Sequence, residues 1–223
     1  MKCLTGFHIK LIAMVTMLID HAGAILFPQY FVLRLIGRLS FPLFCFLLIE
    51  GYTHTRDVRK YLLRLGIFAW ISEAPFDIAF YGGWFVPVHQ NIFFTLFLGI
   101  LAIFCMDRIR TVSGWGGNIA SYGIAVIFGI AAEFLHTDYG LEGVLAIAVM
   151  HELRYSRLLQ SLAFTLITSF GNSLQVFSVF SAVPMCLYNG EKGYRSKAMQ
   201  YIFYVFYPVH LLILYGILKM KLL

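Results

Sequence analysis

Ionisable side chains interrupt the long apolar stretches of this sequence. They are Asp20, His21, Arg34, Arg38, Glu73, Asp77, Glu133, Glu142 and His210. An ionisable group inside a bilayer is costly to bury, and such groups usually mark a functional site. The set therefore predicts a site for chemistry or transport within a membrane.

Two pairs of like charges are each spaced four residues apart, so that each pair shares one helix face. Arg34 and Arg38 form the cationic pair, and Glu73 and Asp77 form the anionic pair. If the pairs face each other, they make a neutral cluster, which lowers the cost of burying any one charge. Such a cluster could serve a catalytic site, or it could only hold helices together.

His21 has the side chain best suited to proton transfer, because imidazole titrates near neutral pH. On a helix the neighbouring Asp20 points about 100° away, so we expect an acid from another helix to orient the His21 ring. A histidine here could also be a hydrogen-bonded packing residue. His210 follows Tyr207 and Pro208, and a proline in a membrane helix frees a backbone carbonyl.

The composition indicates an integral membrane protein. Of the 223 residues, 60% are hydrophobic and 13% are charged, whereas soluble domains carry about 25% charged residues. One globular core could not hide this much apolar surface. The composition excludes a soluble enzyme and a disordered chain, and it predicts a single all-α transmembrane domain over residues 1–223.

Nine apolar runs provide candidate membrane helices, each of which needs about 20 residues to span. The runs are roughly 9–27, 30–52, 60–81, 91–107, 118–136, 139–152, 156–171, 174–189 and 199–220. The sixth to eighth runs are short, as broken or tilted helices are. We predict a bundle of about nine transmembrane helices, within a range of eight to ten.

Basic residues alternate between the loops that join these runs. Thirteen of the seventeen fall on one side, namely Lys2, Lys10, Arg56, Arg59, Lys60, Arg64, Arg108, Arg110, Arg154, Arg157, Lys192, Arg195 and Lys197. The positive-inside rule then places the N-terminus in the cytoplasm and the C-terminus outside. The same rule accounts for the net charge of +6, so nucleic acid is not an expected partner.

The first apolar run is interpreted as an uncleaved span, because Asp20 and His21 stand just before the signal-peptide-like cleavage site at residues 22–24 and the apolar core over residues 11–18 is short. With this topology, nearly all of the buried polar residues lie in the outer halves of their spans. We therefore expect one polar cavity that opens outward and reaches the membrane midplane. No sequence pattern for a metal site is present, and no metal is expected.

The sequence resembles the TraX family in several polar blocks that recur in one order. The blocks are residues 12–21, 34–42, 50–56, 61–64, 72–77, 91–96 and 203–211. This resemblance implies an N-acetyltransferase that uses acetyl-CoA and acetylates the N-terminal amine of pilin subunits at the bacterial inner membrane, as in conjugation. The family is similar to wider transmembrane acyltransferases, which deliver an acyl group from cytoplasmic acyl-CoA to an acceptor across the bilayer.

Together, the residues and the resemblance predict three groups of site residues. The catalytic group is His21, Asp20, Arg34, Arg38, Glu73 and Asp77, with His21 as base or transient acetyl carrier and the arginines as oxyanion partners. The group for the phosphates of acetyl-CoA is His54, Arg56, Lys60 and Arg64, although these residues could instead meet lipid phosphates. The group for the acceptor is Gln90, Asn91, Glu133, Tyr207 and His210.

Two other functions fit the same residues. A proton-coupled transporter also needs charged groups at the midplane, although an inverted repeat would favour it and the sequence has none that we find. A non-catalytic assembly factor for a pilus or filament would need no acyl donor. The expected partners are membrane lipids, acyl-CoA, and an acceptor protein or small molecule at the outer face.

Overall fold

The structure, a computed structural model, describes residues 2–194 and 196–222. The side chains of residues 113–115, 197, 198 and 200 are not part of the description. Two of the basic residues used for the orientation, Arg195 and the side chain of Lys197, therefore lie outside the described part of the chain.

Across the described residues the chain is helical, without β-strands, so the predicted all-α fold is confirmed. The helices are α1 (Gly6–Ile25), α2 (Phe31–Gly37), α3 (Ser40–Thr53), α4 (Val58–Tyr81), α5 (Ile92–Phe134), α6 (Gly140–Glu152), α7 (Arg157–Thr168), a 3-10 helix (Ser173–Ser181), α8 (Ala182–Cys186) and α9 (Lys197–Lys221). Each of the nine predicted runs coincides with a helical segment. The second run contains α2 and α3, the eighth contains the 3-10 helix and α8, and α5 contains the fourth and fifth.

Within the described part of the chain, five segments are long and apolar enough to cross a membrane. They are Gly6–Ile25, Phe31–Thr53, Ile92–Val112, Gly116–Phe134 and Tyr201–Lys221. Helix α4 has 24 residues but carries several charges, and α6 and α7 have 13 and 12 residues. A helix of 13 residues is only about 20 Å long, which is shorter than the hydrocarbon core of about 30 Å.

Helix α5 folds back on itself. It has 43 residues, and a straight helix of that length would extend about 65 Å. Yet its two ends meet, because the backbone N–H of Gln90 donates to the His136 carbonyl (2.8 Å) and that of Asp138 donates to the Gln90 carbonyl (3.0 Å). The two apolar arms of α5 therefore run antiparallel, and the predicted fourth loop, between the runs 91–107 and 118–136, lies at the reversal.

Alternate connections of the chain meet at the same end of the bundle. At one end, the Tyr52 hydroxyl donates to Asp107 (2.8 Å) and Arg110 forms an ion pair with Glu152 (2.6 Å). These contacts join the second, fourth and sixth loops, which connect the second run to the third, the fourth to the fifth and the sixth to the seventh. The third and fifth loops meet at the other end, where Gln90 pairs with the segment after α5. For these five loops the structure has the predicted alternation, while the choice of the cytoplasmic side remains a prediction.

The core forms around α3, which has Leu43, Cys45 and Phe46 fully buried. A short break at residues 38–39 separates α3 from α2. Just after this break, the Ser40 hydroxyl donates to the Ala13 carbonyl on α1 (3.1 Å). The break is thereby held against the middle of α1, where the polar residues of the first span begin.

Because alternate loops lie at opposite ends of the bundle, the arrangement predicts which positions a cysteine reagent reaches from each side of the membrane. In a variant with the exposed Cys3 and Cys186 replaced by serine, we expect a membrane-impermeant maleimide to label Trp84→Cys from outside intact cells. The same reagent should label Lys60→Cys only in inverted vesicles. Both positions have side chains about 80% exposed in the structure, so neither should fail to react through burial.

Tyr155→Cys is the control for this experiment, because it lies in the sixth loop and is 86% exposed. It should behave like Lys60→Cys. Labelling of Lys60→Cys and Trp84→Cys from the same side of the membrane would contradict the arrangement.

Candidate functional site

One carboxylate on α1 binds both arginines of the second span. Asp20 Oδ2 lies 2.6 Å from Arg34 Nη1, and Asp20 Oδ1 lies 2.6 Å from Arg38 Nη2. Arg34 also donates to the Asp20 carbonyl (3.1 Å), and Arg38 Nε donates to the Arg34 carbonyl (3.1 Å). Asp20 and Arg38 are buried, with exposures of 8% and 7%. We refer to Asp20, Arg34 and Arg38 as the ion triad.

Gly37 makes the close approach of the ion triad possible. It is the last residue of α2, and a Cβ atom at this position would overlap the Asp20 carboxylate, at 2.0 Å from Oδ1. Only glycine leaves this space to Asp20. The end of α2 is therefore matched to the carboxylate on α1.

Helix α4 does not supply the partners of the arginines, so the predicted four-charge cluster is wrong. Glu73 Oε2 accepts hydrogen bonds from the backbone N–H (3.1 Å) and side-chain amide (2.5 Å) of Asn91. Asp77 Oδ2 accepts one from the backbone N–H of Val86 (2.7 Å). Both acids face the start of α5 and the loop before it, and Asp20 occupies the place between the arginines that had been expected for them.

Some buried polar atoms of α4 have no hydrogen-bond partner among the described residues. They are Ser72 Oγ, Glu73 Oε1 and Asp77 Oδ1. Their helix face thus carries polar groups that the loop and α5 satisfy only in part.

His21 pairs with another histidine and not with the acid expected from the sequence. Its Nδ1 lies 2.7 Å from Nε2 of His210, on α9. The rings of Phe80 and Tyr207 contact the His21 ring edge-on, with centroid distances of 5.6 and 6.0 Å. We refer to His21 and His210 as the histidine pair. It joins the first and last helices of the chain.

A cavity of about 470 Å³ extends between the two ends of the bundle. Its polar end is lined by Asp20, His21, Arg38, Asp138, Tyr139 and Tyr207. Its basic end is lined by Lys10, His54, Arg64 and Lys192. Aromatic and aliphatic side chains line the part between these ends. The cavity is therefore longer than the outward-opening one expected from the sequence, because it reaches the side that carries the basic loops.

Six of the predicted site residues line this cavity. They are Asp20, His21, Arg38, His54, Arg64 and Tyr207. Arg34 and His210 lie behind lining residues, since Arg34 binds Asp20 and His210 binds His21. The structure thus divides the two arginines, placing Arg38 on the cavity and Arg34 outside it.

Other predicted residues have contacts away from the cavity. Arg56 and Lys60 line a surface depression next to the cavity, which shares Thr55 and Arg64 with it, and there Lys60 pairs with Asp57 (3.3 Å). Asn91 caps α5 by accepting from the backbone N–H of Phe93 (2.9 Å). The remaining predicted site residues, Gln90, Glu133, Glu73 and Asp77, are also absent from the lining. The rotation of their helices and their capping contacts, which are both set by packing, place these residues away from the cavity.

Several cavity residues were not among the predicted site residues, and of these Lys10 had a detectable signal in the sequence. Lys10 and His21 are eleven residues apart, which on a helix brings them to nearly the same face, about 16 Å apart along the axis. Glu50 was also missed; it accepts from Arg157 Nη2 (3.0 Å) and from the Tyr188 hydroxyl (3.3 Å). No spacing in the sequence connects Glu50 with residues more than a hundred positions away.

Residues 6–218 of the chain match the family described as TraX protein. A probable fimbrial assembly protein, FimC of serogroup H1 from Dichelobacter nodosus, is 30% identical over 245 aligned positions that cover 94% of each chain. Protein TraX of Escherichia coli (strain K12) is 31% identical over 146 residues, covering 65% of this chain and 54% of that protein. No solved structure matches the chain.

Loss of the ion triad should lower the stability of the folded protein. Asp20→Asn should leave the buried Arg38 without its carboxylate, and removing one partner of a buried ion pair costs about 3–5 kcal/mol. Gly37→Ala should have a similar effect, because its Cβ displaces Asp20. Thermal unfolding of the purified protein in detergent measures both losses.

Lys60→Ala is the matched control for an ion pair at the surface, where such pairs contribute little. Its melting temperature should stay close to that of the unmodified protein. If Asp20→Asn melts at the same temperature as Lys60→Ala, the ion triad does not hold α1 against α2.

Proposed function

This chain belongs to the TraX family, and we propose that it is a pilus-related membrane acetyltransferase that uses acetyl-CoA. The acetyl group would pass to an amine at the polar end of the cavity. The observation that carries this proposal is the single cavity that joins the basic end to His21 and Arg38. With the predicted topology, the basic end faces the cytoplasm and the polar end lies toward the outside.

The basic end fits the phosphates of a CoA thioester. Its four basic residues come from four separate parts of the chain and converge on one opening, and phosphate oxygens form strong, charge-assisted hydrogen bonds with such groups. The apolar middle of the cavity, which includes Phe44, Leu47 and Phe203, suits an uncharged arm. When bound, acetyl-CoA supplies a thioester carbonyl that is open to attack.

His21 would act as the general base. The acceptor amine must be unprotonated and must lose a proton as it attacks a carbonyl, and imidazole is the side chain that takes up such a proton near neutral pH. His21 lines the polar end of the cavity, within reach of an acceptor that enters there. A second route, in which His21 carries the acetyl group for a time, uses the same residue.

Arg38 would stabilise the negative charge that develops on the carbonyl oxygen. Its Nη2 binds Asp20 and its Nε binds the Arg34 carbonyl, and no described residue forms a hydrogen bond with its Nη1. A guanidinium N–H that is already oriented needs no rearrangement when charge develops, which is the basis of oxyanion stabilisation. Arg34 would position Arg38 through Asp20 and would not contact the substrate.

The acceptor is proposed from the names of the relatives. One relative is a probable fimbrial assembly protein and another is Protein TraX, so we assign an amine of a pilus-related protein as the acceptor and the bacterial inner membrane as the location. The alternative functions differ from this proposal in whether the protein must bind acetyl-CoA. A proton-coupled transporter or a non-catalytic assembly factor would have no need to bind acetyl-CoA.

The first test replaces the proposed base. His21→Ala should abolish acetyl transfer from acetyl-CoA to an amine-bearing peptide, because it removes the proposed base. Binding of acetyl-CoA should remain, because the basic end is unchanged. The assay uses protein in lipid nanodiscs and follows both the acetylated product and free CoA thiol.

Phe80→Leu is the control for packing, because Phe80 contacts the His21 ring but carries no proton. It should retain turnover. Transfer by His21→Ala at the rate of the unmodified protein would exclude His21 as the base.

The second test compares two basic residues that the sequence analysis had placed in one group. Arg64 lines the cavity, whereas Lys60 does not. Arg64→Ala should weaken acetyl-CoA binding by about tenfold, which corresponds to about 1.4 kcal/mol and is typical of a lost charged hydrogen bond. Lys60→Ala should bind as the unmodified protein does, as measured by calorimetry in nanodiscs.

Equal effects of the two substitutions would show that a general positive surface, and not the cavity, attracts the donor. Absence of any acetyl-CoA binding by the unmodified protein would favour the transporter or the assembly factor.

A further inference from the structure

We infer that His210 is a positioning residue that holds His21 in the one tautomer able to act as a base from its Nε2 atom. This inference rests on the proposed function and deepens it. His210 was predicted to bind the acceptor, but its side chain is buried, with the residue 4% exposed, and does not line the cavity. Its two ring nitrogens are both engaged by the protein.

The proton positions follow from a carbonyl group at one end of the chain of hydrogen bonds. His210 Nδ1 lies 2.7 Å from the carbonyl oxygen of Phe206, and a carbonyl can only accept. The neutral His210 ring therefore carries its proton on Nδ1. The opposite tautomer would bring the lone pair of Nδ1 against the lone pairs of the oxygen.

The second hydrogen bond transmits this choice to His21. Because Nδ1 of His210 holds the proton, its Nε2 has a lone pair and accepts. His21 Nδ1, 2.7 Å away, must then be the donor. A neutral His21 with its proton on Nδ1 has a lone pair on Nε2, and no described residue forms a hydrogen bond with that atom.

The geometry of the two rings favours a well-directed bond. Their planes differ by 7° and their centroids are 5.0 Å apart, although the two nitrogens approach to 2.7 Å. The rings therefore lie edge to edge in nearly one plane, with the N–H of His21 aimed at the lone pair of His210. The Phe206 ring packs on His210 at 4.7 Å and 12°, which restricts rotation of the His210 ring.

The arrangement gives a balanced acyl transfer. As the amine nitrogen bonds to the carbonyl carbon, His21 Nε2 takes the proton that the nitrogen loses. When the carbon–sulfur bond breaks, the same Nε2 returns that proton to the leaving thiolate, so that His21 ends in its starting form. While His21 is protonated, His210 accepts the Nδ1–H hydrogen bond, which is the role of the orienting group behind a catalytic histidine.

The test combines a tautomer measurement with two variants. Solid-state NMR of the full-length protein labelled with ¹⁵N-histidine, in lipid bilayers, should show His21 protonated on Nδ1 and not on Nε2. The signals are assigned by their loss in His21→Ala. In His210→Phe, which removes the acceptor, the tautomer preference of His21 should disappear.

Turnover should follow the tautomer. His210→Phe should lower kcat by about 100-fold, at the lower end of the usual contribution of a general base, with KM for acetyl-CoA unchanged. His210→Gln keeps an acceptor oxygen and should recover most of the rate. A residue that only fills space would show neither the rescue by glutamine nor a change at His21.

Each contrary result is distinct. Protonation of His21 on Nε2 in the unmodified protein would overturn the inference whatever the activity. Full transfer by His210→Phe would overturn it while leaving the proposed function intact. Absence of transfer by the unmodified protein, with His21 in the expected tautomer, would overturn the proposed function and with it the catalytic role of the histidine pair. If His210→Phe fails to fold, the tautomer of the unmodified protein and the rate of His210→Gln still decide.

Discussion

The ion triad is the contact on which the rest of the site depends. A charge left unpaired in apolar surroundings is costly, so Asp20 must stay between Arg34 and Arg38. This requirement holds α1 against the end of α2, where Gly37 provides the space. His21 is the next residue on α1, and its position in the cavity is therefore set by a contact in which it takes no part.

Helix α1 presents different groups to its neighbours on either side. Consecutive residues of a helix point about 100° apart, so Asp20 can face α2 while His21 faces α9. The ion triad and the histidine pair thus use separate faces of one helix. Lys10 lies nearly in line with His21, so α1 contributes to both the basic and the polar end of the cavity. One helix connects the ends at which donor and acceptor are proposed to bind.

The acidic residues of α4 serve the architecture of the polar end. Glu73 binds the residue that caps α5, and Asp77 binds the loop before it. Both contacts fasten the start of α5, whose first residues, Ile92 and Phe93, line the cavity. The acids therefore act on the site through the backbone that they hold, while Asp20 is the described carboxylate that forms ion pairs with the two arginines. The two acids on α4 therefore do not pair with the ion triad, which keeps a net positive charge from its two arginines and one carboxylate.

The amino-acid sequence by itself determined the helical segments, the alternation of the loops and the candidates Asp20, His21 and Arg38. These features are local, since apolar run length, the sign of loop charges and the cost of a buried charge can be read along the chain. The partners were decided by the tertiary structure: Asp20 and not Glu73 binds the arginines, His210 and not an acid binds His21, and Arg64 but not Lys60 reaches the cavity. Each of these choices depends on the rotation and packing of helices that are distant in sequence. The type and spacing of side chains along the chain do not determine that rotation and packing.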